Sequence, residues 1–104
     1  MASRITSKRR RALIQQSHCC YYCGFPMWEG NPEQFARLHK ITRGQARWLQ
    51  STVEHVEPKQ SGGKNTKQNI VAACLRCNSQ RHVGKRNPAA DAYRQVVQRA
   101  VTGA

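Results

Sequence analysis

Acidic residues are scarce in this chain. There are 5 Asp and Glu against 18 Lys and Arg in 104 residues, a formal net charge of +13. With so little counter-charge, the surface favours a polyanionic partner, because Lys and Arg displace the counterions condensed on phosphates. The basic residues run along the whole chain, as they would in any RNA-binding protein, so charge alone names no function. Aromatic residues are also few, at 7%, and the expected apolar core is thin. No run approaches the roughly 20 apolar residues of a membrane span. The basic start leads into no long apolar stretch, so no signal peptide is visible. Cysteines in such a chain point to a reducing, cytoplasmic setting and to metal ligation rather than disulfides.

What is present fits one small α+β domain spanning residues 1–104, too small for a large core and helped by a metal staple. Four of the five cysteines form two Cys-x-x-Cys pairs, Cys20/Cys23 and Cys74/Cys77. Two such pairs suit a closed, tetrahedral structural Zn²⁺ site with no open position for water. A redox pair is the competing reading, but the βαβ pattern that it needs is missing. Cys19 is the odd thiol. His18 beside the first knuckle reads as a surface or neighbouring group.

The pattern predicts a helix from a Ser7 cap through Gln16, with Leu13 and Ile14 inward and Arg9, Arg10 and Arg11 as candidate phosphate contacts. A helix over Pro32 to Lys40 follows from Pro at its first position and from Phe35, Leu38 and Ile41 on one face. A second helical piece covers Gln45 to Gln50. Ser51 to Val56 alternates and is β-branched, so it reads as a strand. A polar loop with Gly62-Gly63 leads to a second strand, Asn69 to Ala73, and a short helix then begins near Cys74. Asn87-Pro88 reads as the cap and first residue of a last helix, about 88–101, with Ala92, Tyr93, Val96, Val97, Ala100 and Val101 on its inner face.

Adjacent Glu54 and His55 on a strand point to opposite sides. A carboxylate with an amide oxygen suits Mg²⁺ or Mn²⁺, and neutral imidazole accepts a proton from water near pH 7. Each residue alone has an ordinary explanation as a strand charge, a turn or a cap. Their order beside the second knuckle does not.

Glu54-His55-Val56-Glu57-Pro58, Ser61-Gly62-Gly63, Asn69 to Cys74 and Cys77-Asn78 together resemble the HNH endonuclease pattern in its zinc-knuckle branch. The likeness covers 51–82 and 20–24. It implies a ββα-metal core of hairpin plus helix and DNA cleavage at phosphodiester bonds, by nicking or double-strand cutting. It implies His55 as general base, Glu54 and Asn78 as ligands of the catalytic ion, and Asn69 as the brace of the hairpin loop. His82, one turn beyond Asn78, reads either as a contact to the scissile phosphate or as an exposed helix histidine. Lys59, Lys64, Lys67 and Arg81 are candidate backbone contacts, with solvated loop lysines as the plain alternative. The departures are Glu for the usual Asp, Asn for the last His, and a long insertion over 25–50. A non-catalytic zinc-knuckle module that binds DNA or RNA is the alternative reading. The sequence gives no oligomeric state.

Overall fold

The computed structural model describes residues 4–83 and 87–103. Among the described residues, five helices accompany one antiparallel hairpin: α1 (Arg4–Gln15), α2 (Pro32–His39), α3 (Arg43–Trp48), β1 (Ser51–His55), β2 (Ile70–Cys74), α4 (Leu75–Arg81) and α5 (Ala90–Thr102). A short 3₁₀ turn, Lys59–Ser61, lies in the hairpin loop. None of the described helices is long and apolar enough to cross a membrane.

Local chemistry explains the helix ends. Asn31 caps α2 by accepting from the Gln34 N–H, and Pro32 follows at the position where a missing N–H costs nothing. Thr42 and Gln45 form a reciprocal capping box on α3. α4 starts on Cys74, whose sulfur accepts from the Cys77 N–H at 3.4 Å. One residue is therefore strand end, helix cap and a member of the cysteine cluster at once.

The hairpin register pairs Ser51 with Cys74, Glu54 with Val71 and His55 with Ile70. Alternation puts Ser51 and Glu54 on opposite faces, yet both are buried, and His55 is half-buried at the loop end. β2 is almost wholly buried. Its outer edge is covered by a side chain rather than a strand. Gln16 donates from Nε2 to the Ala72 carbonyl at 2.8 Å and accepts from the Ala72 N–H at 3.0 Å. That amide imitates a strand partner and satisfies groups that a bare edge leaves open.

The main core gathers Leu13, Tyr22, Met27, Ala72, Ala73 and the cysteines, with Tyr93 and Val97 of α5 against it. A second, smaller cluster joins Phe35, Ala36 and Ala46 to Trp28, Ile41 and Leu49, and the Trp28 indole donates to the Ala46 carbonyl. The 25–50 insertion thus has a small core of its own.

Several expected details differ. α1 is already helical at Arg4, so Ser7 lies within it and is not its cap. Ile14 and Leu38 face solvent, at 68% and 75% exposed, because each helix has only one neighbouring surface and that side is filled by Leu13 or Phe35. Asn87 and Pro88 precede the last helix, which begins at Ala90 with Ala89 at the cap position. On α5 only Ala90 is buried. Tyr93 and Val97 are partly covered, and Val96 and Val101 are exposed.

Candidate functional site

The first site is the cysteine cluster. The knuckle after α1 is shaped by Ser17 and His18, both in the left-handed region (φ 55° and 62°), and by Gly24 at φ 75°, where a side chain is strained. This turn brings Cys20 and Cys23 to Cys74 and Cys77, with all four sulfurs within 4.8 Å of one another. The thiols are coupled. Hydrogen bonds from Cys23, Cys74 and Cys77 pull the Cys20 thiol far down, and the Cys20 thiolate in turn pushes Cys77 and Cys74 up. Cys20 opposes a charge on Cys23, but Cys74 and Cys77 outweigh it and draw that thiol down as well, so two thiols are favoured as thiolates and two are opposed, a conflict that a dication resolves. A compact all-thiolate set fits tetrahedral zinc and closes the coordination sphere. Cys19 stands outside it, with its thiol at 3.5 Å from the Ser17 carbonyl.

The second site lies across the hairpin and α4. Glu54 is 2% exposed, so its charge needs partners. Its Oε2 accepts from the Tyr22 hydroxyl at 2.9 Å and from the Arg81 guanidinium at 3.2 Å. Burial, then the nearby Glu54 charge, raises the Tyr22 phenol well above its ordinary pKa, so Tyr22 stays protonated and donates. Oε1 accepts from His82 Nε2 at 3.0 Å. On its far side, the His82 ring takes a hydrogen bond at Nδ1 from the Asn87 amide at 3.2 Å.

Arg81 departs from expectation. Expected from the sequence to contact a nucleic-acid backbone, it is 1% exposed and cannot reach a phosphate. Its guanidinium donates to the carbonyls of His55, Val56 and Pro88 as well as to Glu54 and the Tyr22 hydroxyl. The fork of donors on Arg spans all of these groups, where a Lys point charge would not. Charge counting missed this role. The readable signal was position, four residues after Cys77 and so on the inward face of α4.

Asn78 lies beside Arg81 and His82 on α4. Its amide nitrogen donates to Thr52 Oγ1 and to the Val53 carbonyl, at 3.0 and 2.9 Å. Those bonds fix the amide and direct its oxygen away from them.

His55 sits where β1 runs into the loop. Its Nε2 is 2.7 Å from Asn65 Oδ1. Asn69 braces that loop. Its oxygen accepts from the Glu57 N–H at 2.7 Å, and its nitrogen donates to the carbonyls of Glu57 and Lys64, both at 2.9 Å. Gly63 packs so tightly that a Cβ there would meet the Glu57 carbonyl oxygen at 1.7 Å. The second glycine is thus required by close approach.

The arginines of α1 divide. Arg9 and Arg10 pair with Glu29, at 2.9 and 3.4 Å, and so tie α1 to the knuckle side. Arg11 lines a small cleft of about 60 Å³ with Lys8 and Lys67. Lys59, Lys64 and Lys67 lie exposed on the hairpin loop. The cations near His55 therefore come from α1 and this loop. The sequence pattern gave Tyr22 and Asn65 no role and Asn87 only that of a helix cap, because nothing local marks a residue whose partner is a distant side chain.

The family model for HNH endonuclease matches residues 20–84, more than half of the chain. No curated protein and no solved structure matches.

Proposed function

Because the chain belongs to the HNH endonuclease family, we propose that it is a metal-dependent DNA endonuclease with His55 as general base. Residues 1–104 act as one nuclease domain. The observation that carries this reading is the placement of His55, reachable by solvent and held on a braced loop, next to a buried carboxylate on a hairpin-plus-helix core. Zn²⁺ at Cys20, Cys23, Cys74 and Cys77 is structural, and it keeps its thiolates in a reducing, cytoplasmic setting.

The donor set on α4 and β1 suits a second, catalytic divalent ion. Glu54 Oε1 and His82 Nε2 are 3.0 Å apart, close enough for both to hold one ion. Asn78 supplies an amide oxygen on the same helix face, one turn before His82. Metal at His82 Nε2 requires the ring proton on Nδ1. Asn87 Oδ1 is buried with no hydrogen-bond partner among the described residues, and turning that amide presents the oxygen to Nδ1–H. Arg81 holds the other carboxylate oxygen of Glu54, which keeps the ligand in place.

His55 takes a proton from a water aligned with the scissile phosphorus. Glu54, Asn78 and His82 would hold Mg²⁺ or Mn²⁺, which when bound would supply positive charge to the phosphate and the leaving oxygen. Lys8, Arg11, Lys59, Lys64 and Lys67 hold the DNA backbone near His55. Tight pairing of Glu54 with Arg81 and Tyr22 also suits a module that binds nucleic acid without cutting it. Supercoiled plasmid separates the two. Protein dialysed free of loosely held metal should leave plasmid intact and should nick or linearise it when Mg²⁺ or Mn²⁺ is added back. Retarded but uncut plasmid with every divalent ion tried would mean the binding module.

A further inference from the structure

His55 owes its orientation to a residue that no motif includes. An amide oxygen only accepts, so the 2.7 Å contact from His55 Nε2 to Asn65 Oδ1 puts the imidazole proton on Nε2. Neutral imidazole carries one proton, and the partner of one nitrogen therefore decides what the other can do. Here Nδ1 is left with the free lone pair.

Asn65 is well placed to impose this. Three successive carbonyls of its loop are each engaged. Lys64 O accepts from the Asn69 side chain. Asn65 O accepts from Lys8 Nζ, reaching over from α1. Thr66 O accepts from the N–H groups of Asn69 and Ile70, at 3.0 and 3.1 Å. The backbone is thus held on both sides of Asn65, and its exposed amide lies against the ring.

We propose that Asn65 is a positioning residue for the proposed reaction, holding His55 in the Nε2–H tautomer so that Nδ1 receives the proton from water. Lys8 extends the same support to α1, which ties the orientation of the base to a helix outside the ββα core. This rests on the reading of His55 as general base, and the two can fail separately.

The tautomer is read directly, without substrate, from the ¹⁵N shifts and two-bond couplings of ¹⁵N-histidine-labelled, zinc-loaded protein at a pH where imidazoles are neutral. His55→Ala identifies the His55 signals. Wild type should show an Nε2–H ring, Asn65→Ala a mixture of both tautomers, and Asn65→Asp, which keeps an acceptor, the wild-type ring. In plasmid cleavage on the alkaline plateau, Asn65→Ala should lose roughly tenfold to 100-fold in kcat with KM little changed. Asn65→Asp should recover most of that loss. An Nδ1–H ring in wild type, or a tautomer unchanged in Asn65→Ala, overturns the proposal. Faster cutting by Asn65→Ala also overturns it, since the amide would then be covering the base. Normal cutting by folded His55→Ala removes the general-base reading instead, and leaves the tautomer result standing on its own.

Discussion

Glu54 and Arg81 show what a single position gives away in sequence and what it does not. The order Glu54-His55 on a strand was readable, and so was their divergence, because both follow from a period of two. That Glu54 is buried and bound to Arg81, Tyr22 and His82 was not readable. Those contacts cross 27, 32 and 28 residues of chain, and no local pattern encodes them. Arg81 looked like one more cation in a basic chain, yet it holds three carbonyls and a carboxylate. Removing one partner of a buried pair leaves the other charge uncompensated, at a cost of about 3–5 kcal/mol. Arg81→Met should therefore lower unfolding stability by about that amount, measured by denaturant titration of the zinc-loaded protein. Adding Glu54→Gln to it should recover part of the loss, since the stranded charge is then gone. A fall below about 1 kcal/mol would mean that the pair is far less buried in solution.

At the scale of elements, caps and spacing served well wherever the signal was local. Pro32 marked α2, and the two Cys-x-x-Cys pairs marked the cysteine cluster, whereas α3 runs over Arg43–Trp48 instead of the expected Gln45 to Gln50, because the Thr42–Gln45 capping box that starts it went unread. Periodicity worked less well for α5. An apolar stripe says which residues share a face but not how much of that face is covered, and only its first part meets the core. The role of Gln16 was hidden for a similar reason, since nothing in a glutamine announces that it will pair with a strand edge. The cysteine cluster joins three elements: the knuckle after α1, the end of β2 and the start of α4. Structural zinc contributes on the order of 10–16 kcal/mol in finger peptides. Cys74→Ser should lose metal and fold together, because it removes a ligand that also caps α4. Cys19→Ser should keep both. Zinc content by elemental analysis with circular dichroism decides it, and a full complement of zinc in folded Cys74→Ser would contradict the assignment.

For the molecule as a whole, the charge of +13 and the family core have to be reconciled with a small apolar interior. The metal cluster and the Glu54 network do this together. They tie the hairpin to α4 and to the first knuckle, while Lys59, Lys64 and Lys67 stay exposed on the hairpin loop. The family core and the two Cys-x-x-Cys pairs were legible because each is a short local pattern. The supports supplied by α1, the knuckle and the segment before α5 were not, since each acts through tertiary contacts. Binding and chemistry should accordingly come apart. On the proposed function, affinity for DNA should rest on many cations and fall steeply between about 50 and 200 mM salt, whereas cutting should rest on one imidazole. The most direct test is the plasmid cleavage rate of His55→Ala, shown to be folded and zinc-loaded, beside its DNA affinity at both salt concentrations. The expected result is an affinity and salt dependence like wild type, with cleavage lower by roughly 10²–10⁴-fold and not restored by excess Mn²⁺. Cleavage at the wild-type rate would contradict the account.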